Sequence, residues 1–495
     1  MTTTTGNPAR STPKFVTVTL GCEKNLVDSE ELIGVLEANG WKETRRLADA
    51  RAILVNTCAF IEPARQESLA AIRRITAIKE ERPEIEIIVF GCLAKKSVPM
   101  LKERFNGALD GVFESHHEVI AHLLDPDVGR GFSRAALPGT VPVPSEQWRG
   151  TGPRPTEARH TKTVDWNEFI TLSRKPLTPP WYAYLKISEG CSRRCSFCII
   201  PRLRGTHNSK PFDLIKEETE LLVRRGVTEI NVIAQDSTLY GRDLKGAPAH
   251  LPYAPSSAGR EDHSIHLPDV LKYLSSLDEL QWIRVFYLYP HGVTDEILDA
   301  FHLPKVLPYF DVPVQHASQR MLDLMARDGS VEDYERILNR IHGEFENPYL
   351  RTSIIVGFPG ETEEDFETAL AFLRKWRFNG VSAFAYSRED LSKSYQLPDQ
   401  LPEEVKQERL TELMRAQAEL QFERNRLYVG TTADAVVEKA ARNGYGAQAR
   451  AWFQAPDVDG IFEVQLSGPH KPGEHIRAAI HDVVETDFVG AEVDG

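Results

Sequence analysis

The chain is 495 residues long, 41% apolar and 26% charged, a composition that excludes a disordered or fibrous protein and fits several globular domains. A formal net charge of −13 excludes a protein that wraps nucleic acid over its whole surface, while leaving room for a local basic patch. No apolar run approaches a membrane span and the Thr-rich start has no signal-peptide core, so a cytoplasmic protein without a membrane partner is expected.

Three apolar, β-branched runs open the chain: Phe15–Leu20, Arg51–Val55 and Ile85–Phe90. Helical patterns over Asp28–Asn39, Pro63–Glu81 and, more weakly, Val98–Phe105 follow them. Strand then helix, repeated, predicts a parallel α/β sheet. From about Leu124 to Pro180 the sequence fills with Pro, Gly, Thr and Arg and loses periodicity, which reads as a linker with little core. Alternation resumes with candidate strands Tyr182–Ser188, Glu229–Gln235, Trp282–Tyr289, Phe310–Val314, Arg351–Gly357 and Gly380–Tyr386. Helical patterns lie between most of them, at Phe212–Arg225, Leu267–Leu280, Tyr334–Phe345 and Glu363–Trp376. That spacing predicts a partial (β/α)6 barrel with its active groups at the C-terminal ends of the strands. Residues 241–266 read as an inserted loop. A long charged helix, Pro402–Tyr428, leads to short strands and Gly-rich turns that predict a small β-barrel. The α/β fold is thus expected to divide at 14–128, 129–176 (linker), 177–415 and 418–490.

All six cysteines fall into two triads. Cys191, Cys195 and Cys198 share one short loop after the strand ending near Ser188. Three close thiolates can hold three irons of a [4Fe–4S] cluster and leave the fourth open. A zinc site would need a fourth ligand at knuckle spacing, and none sits nearby in that register; His207 is read as ordinary. Cys22, Cys58 and Cys92 are dispersed, but each directly follows one of the three N-terminal strands. Parallel strands present their C-terminal ends on one edge, so the three should converge on a second cluster. Buried structural cysteines, the bland alternative, would show no common position relative to the strands.

Cys191-Ser-Arg-Arg-Cys195-Ser-Phe-Cys198 matches the radical S-adenosylmethionine (SAM) motif, with Phe197 as its customary aromatic. With the N-terminal triad and the C-terminal β-barrel, the chain resembles the methylthiotransferase family over nearly its full length. The resemblance implies an N-terminal cluster domain, a radical SAM core and a C-terminal TRAM domain. It implies that Cys191, Cys195 and Cys198 hold the cluster whose open iron binds SAM, and that one-electron reduction yields a 5′-deoxyadenosyl radical. It also implies that Cys22, Cys58 and Cys92 hold an auxiliary [4Fe–4S] cluster carrying the sulfur to be transferred. Lys24-Asn-Leu-Val-Asp-Ser-Glu30, Thr178–Ile187, Cys198–Gly205, Asp311–His316 and Ile355–Glu361 resemble the RimO-type branch, although Glu23 stands where that branch usually has Pro. RimO-type enzymes modify an aspartate of ribosomal protein S-twelve (uS12), whereas their tRNA-modifying relatives typically show Gln-Met-Asn around the first cysteine.

Ile355-Val-Gly-Phe-Pro-Gly-Glu361 ends a strand in a Gly/Pro turn that lets backbone approach a ligand, or forms a plain turn into a helix. Gly357, Pro359 and Glu361, with Phe197, Gln235 and Gln315, are the expected SAM contacts. Gln235 and Asp236 end one strand, Gln315 and His316 another, as site residues or loop caps. Arg193, Arg194, Arg202 and Arg204 either offset an anionic cluster, grip substrate or form a solvated loop. Residues 429–495 hold five basic and eleven acidic residues, ill-suited to RNA and attractive to a basic ribosomal protein, with Asp457 and Asp459 as candidate contacts. The expected partners are ribosomal protein uS12, an electron donor and a sulfur donor; the chain itself is expected to be a monomer. The alternatives are the same chemistry on tRNA, and a non-catalytic iron–sulfur electron carrier.

Overall fold

The computed structural model describes residues 12–124, 166, 168–244, 265–440 and 446–493. Of the expected linker, 129–165 and 167 lie outside the described residues, as does 245–264 of the expected inserted loop. The chain divides into two compact units, Met1–Leu177 with Arg202–Gly205, and Thr178–Pro201 with Thr206–Gly495.

In the first unit, three apolar strands, Lys14–Thr19, Ala52–Thr57 and Glu86–Gly91, form the centre of a five-stranded sheet. Every pairing in it is parallel. Ala52–Thr57 is buried along its whole length, which is why it reads as a continuous apolar run rather than an alternating one. Its edges, Lys42–Glu43 and Gly111–Val112, are two residues each, too short to leave a periodic trace. The first helix spans Glu23–Ala38, starting earlier than expected, because the chain enters it directly from Cys22. Leu32, Ile33, Val35 and Leu36 of this helix pack with Phe15, Leu54, Ile88 and Val119 in the core. Beside this core, buried Glu31 meets His116 Nε2 of helix His116–Leu124 at 3.0 Å.

The end of the expected linker corrects the sequence reading. Glu168–Ser173 is a short helix, and it docks on helix Glu23–Ala38 at Gly34, where a Cβ would stand 1.9 Å from the Ser173 carbonyl oxygen. Arg174 follows, buried, with its Nη2 2.6 Å from Glu30 Oε2; Leu177 N–H donates to the other carboxylate oxygen at 2.6 Å. These partners lie 144 and 147 positions apart, beyond any local pattern. Removing one member of a buried ion pair is far costlier than losing a surface pair. Arg174→Ala is therefore expected to destabilise the chain by about 3–5 kcal/mol, read as a lowered urea midpoint of the full-length protein.

In the second unit, six parallel strands lie in sequence order across an open sheet: Tyr182–Lys186, Glu229–Ile233, Trp282–Val285, Val306–Asp311, Tyr349–Val356 and Gly380–Ala385. Helices such as Phe212–Arg224, Val331–Glu344 and Glu363–Trp376 cover it, and one large apolar core runs between the layers. This is the partial (β/α)6 barrel. The fourth strand sits earlier than the expected Phe310–Val314. Pro308 lies inside it, without an N–H to give to the ladder, and the pairing with Trp282–Val285 slips in register there. The third strand ends earlier too, because Tyr287 at φ 61° turns the chain out of it.

Residues Thr432–Ala440, Gly446–Ala451, Phe462–Gln465, His475–Val484 and Asp487–Glu492 close into a five-stranded barrel. It packs against the N-terminal ends of the six strands. Arg450 reaches Glu229, the first residue of its strand, at 2.5 Å, and Arg284 Nη2 donates to the Trp452 and Gln454 carbonyls at 2.9 and 3.0 Å. Asp459 is buried here, accepting from the Tyr309 hydroxyl at 2.7 Å and facing Arg351 at 2.7 Å. It therefore cannot be the partner contact expected from the sequence; its charge is neutralised inside the protein. Asp457 stays exposed, within 3.3 Å of the Tyr182 hydroxyl.

Candidate active site

Two strands of the first unit deliver cysteines through glycines that no other residue could replace. Gly21 has φ 95°, and a Cβ there would stand 2.7 Å from Cys58 Cβ and 3.1 Å from its sulfur. Gly91 has φ 94°, and its Cβ would meet Asn56 Oδ1 at 2.4 Å. The missing side chains let the three strand ends close on one another. Behind them lies a polar network built from the motif after Cys22. Asn25 donates to the Leu20 and Thr57 carbonyls at 2.7 and 3.2 Å. Asn56 donates to the Asn25 carbonyl at 2.8 Å and to Ser29 Oγ at 3.0 Å. Ser68 accepts from Cys58 N–H at 3.0 Å and donates to its carbonyl at 2.8 Å. Burial first, then the neighbouring Cys92 and Cys22, pushes the Cys58 thiol up to about 12. The three cysteines thus share one location at the C-terminal sheet edge.

In the second unit, Gly190 at φ 72° turns the chain from strand into the Cys191–Cys198 loop. Each sulfur of that loop receives an N–H: Cys191 from Arg193 N at 3.4 Å, Cys198 from Ile200 N at 3.4 Å, and Cys195 from Arg327 Nη1 at 3.6 Å. Burial, then Asp236 and Cys195, outweigh the Arg193 N–H and push Cys191 up to about 12. A bare Cys191 thiol in this setting stays protonated, whereas iron would hold it as a thiolate. Among the described residues, neither triad brings all three sulfurs within 4.8 Å of one another. A tetrahedral zinc with Zn–S bonds of about 2.3 Å would draw them to about 3.8 Å. Three thiolates on one loop, each able to bind one iron, suit a four-iron cluster with its fourth iron open.

The radical SAM superfamily matches residues 185–373, the TRAM domain residues 429–493, and an uncharacterized protein family (UPF0004) residues 14–113. A ribosomal protein uS12 methylthiotransferase RimO from Geobacter sulfurreducens is 36% identical, covering 96% of this chain and 98% of that protein. Its counterpart from Acetivibrio thermocellus is 32% identical, covering 96% and 97%. The chain belongs to the RimO-type methylthiotransferase family. It is a radical SAM transferase, and that superfamily works with a [4Fe–4S] cluster and SAM. The solved structure of the radical SAM methyltransferase TsrM from Kitasatospora setae shares the fold, with a TM-score of 0.50 at 15% identity over 78% of this chain and 77% of that one.

In this RimO-type chain the six residues expected to meet SAM sort by what they touch. Gln235, Gln315 and Gly357 all follow strand C-termini, on the edge that carries the cysteine loop. Gln235 Nε2 donates to Glu189 at 3.3 Å, while its buried Oε1 accepts no hydrogen bond among the described residues. Gln315 adopts φ 69° and bridges to Ile354. Phe197 is half-buried beside Met321, Met325, Ile355, Phe358 and Tyr386. Glu361 is buried and holds its own turn: Gly357 N–H donates to it at 2.6 Å, Arg409 pairs with it at 2.6 Å, and His316 Nε2 lies at 3.1 Å. Gly357 has φ 72° with Lys406 filling the space a side chain would take, and Pro359 is buried.

The basic loop divides in the same way. Arg193 is anchored to buried Asp236 at 2.8 Å, and Arg204 lies 3.1 Å from Asp28 within the first unit, while Arg194 and Arg202 are exposed. Among the described residues, His207 rests against Ser209 at 3.0 Å. Sequence reading missed Arg327 and Tyr289. Neither stands in a motif, and only the fold brings them to Cys195.

Proposed function

We propose that this chain methylthiolates the β-carbon of an aspartate of ribosomal protein uS12, using two [4Fe–4S] clusters and SAM. A C–H bond is replaced by C–S–CH3; one SAM gives the methyl group, and a second gives the radical that removes the hydrogen. The clusters would supply the electron that cleaves SAM and the sulfur that is transferred. Cys191, Cys195 and Cys198 would hold the first and Cys22, Cys58 and Cys92 the second. Phe197 walls the first site with apolar surface that excludes water, and Gln235 offers its buried amide oxygen to a polar group of the bound SAM. The observation that carries the substrate is the match, over nearly the full chain, to proteins named for uS12.

The charge of the C-terminal barrel supports the same reading. Its five cations face eleven acids, and Arg450 is buried against Glu229, so little positive charge is left for a tRNA backbone. Mass spectrometry of uS12 peptides and of tRNA, from a deletion strain and its complement, tests the proposal. The methylthio increment on one uS12 aspartate should vanish on deletion and return with the gene, with tRNA unchanged. Loss of a tRNA methylthio group with uS12 unaffected would give the tRNA reading instead.

A further inference from the structure

We propose that Arg327 is the built-in counter-charge of the cluster site formed by Cys191, Cys195 and Cys198, and that it raises the reduction potential of the cluster bound there. The inference rests on reading that triad as a [4Fe–4S] site. Six arginines are buried among the described residues: Arg174, Arg204, Arg284, Arg327, Arg409 and Arg450. Five of them lie within ion-pair distance of a carboxylate. Arg327 is the exception among the described residues. Its Nη2 donates to the Pro313 carbonyl at 2.5 Å, its Nη1 to Cys195 Sγ at 3.6 Å, and its buried Nε has no acceptor among the described residues.

A buried guanidinium is strongly disfavoured unless an anion lies beside it. Of the acidic groups around it, burial pushes the Tyr289 and Tyr334 hydroxyls up and keeps them neutral, so the anion that binding of iron would supply is the ligand sulfur. The ring of Tyr289 makes the contrast plain. Arg193 lies over it at 3.9 Å and Arg327 at 4.2 Å, but Arg193 is neutralised by Asp236 at 2.8 Å and Asp328 at 3.3 Å. Among the described residues Arg327 has no carboxylate, only the Tyr289 face, the Pro313 carbonyl, the neutral Tyr334 hydroxyl and the sulfur. Reduction adds one negative charge to the cluster, and a fixed cation donating to its sulfur favours that state; hydrogen bonding to sulfur and burial both set cluster potentials. Arg327 touches a ligand of the cluster rather than the reacting atoms, so it is a positioning residue.

The test uses the full chain, loaded anaerobically with iron and sulfide, with the potential read by EPR-monitored redox titration. Arg327→Gln should keep its iron. Its reduced-to-oxidised ratio at a fixed potential should fall about tenfold, which for a one-electron couple is 59 mV. Arg327→Lys, which keeps the charge, should recover most of that. An unchanged potential in Arg327→Gln at full iron content overturns the proposal. A wild-type chain that takes up no iron on this triad overturns the cluster reading instead. Should Arg327→Gln lose its iron, pulsed EPR of wild-type protein carrying nitrogen-15 arginine decides the matter. A guanidinium nitrogen coupled to the reduced cluster is expected, and its absence overturns the role of Arg327.

Discussion

Anaerobically loaded protein is expected to hold about eight irons per chain, four for each cluster, and each cysteine triad should account for half. Changing Cys191, Cys195 and Cys198 to Ala should leave about four irons and abolish reductive SAM cleavage, because the open iron that binds SAM is gone. Changing Cys22, Cys58 and Cys92 to Ala should also leave about four, with SAM cleavage retained and methylthio transfer lost. The asymmetry follows from the architecture. Each triad lies at a sheet edge of its own unit. Iron and SAM-cleavage assays on the two triple variants check this. Full iron content after loss of the N-terminal triad would remove the second cluster from the account.

Both triads were legible in the sequence because strand, then cysteine, is a local statement that survives without knowledge of the fold. The six strands of the second unit were legible for the same reason, since burial on both faces writes apolar runs. What escaped is what only distance in sequence can supply. Glu168–Ser173 looked like linker because its anchor, Glu30, lies far back in the chain. Lys24–Glu30 was readable as a family motif, but its work was not: Asn25 and Ser29 tie strand ends together, and Glu30 holds Arg174. Asp459 reads in the sequence as a contact for a basic partner, although it is the buried partner of Tyr309 and Arg351. Pro308 stands inside the fourth strand, where proline is disfavoured, and the fold accommodates it by a slip in register. Arg327 has no motif at all; it becomes visible once every other buried arginine is matched to its carboxylate.

The C-terminal barrel should come loose when Glu229 is removed, and less readily when Arg450 is. Glu229 is 1% exposed, with Arg450 at 2.5 Å and Arg284 at 3.6 Å. Burial opposes its ionisation, but the two guanidiniums more than offset that and hold its carboxyl below the usual glutamate range. Glu229→Ala leaves buried Arg284 without its carboxylate and beside Arg450, which keeps only the half-buried Glu438 at 2.9 Å, whereas Arg450→Ala leaves Glu229 with Arg284. A loss of about 3–5 kcal/mol is expected for Glu229→Ala, and a smaller one for Arg450→Ala. Because the folded carboxyl titrates below its unfolded value, its contribution is present above the ordinary glutamate range and is lost as pH falls through the folded value. Limited proteolysis of the full chain, with and without acidification, reads the effect as release of a fragment beginning near Val429. The docking contacts lie at the N-terminal strand ends, away from the cysteine loop, so iron content should be unchanged in both variants. A Glu229→Ala protein as resistant to protease as the wild type would show that the Arg284 hydrogen bonds and the Tyr309–Asp459–Arg351 contacts hold the barrel by themselves.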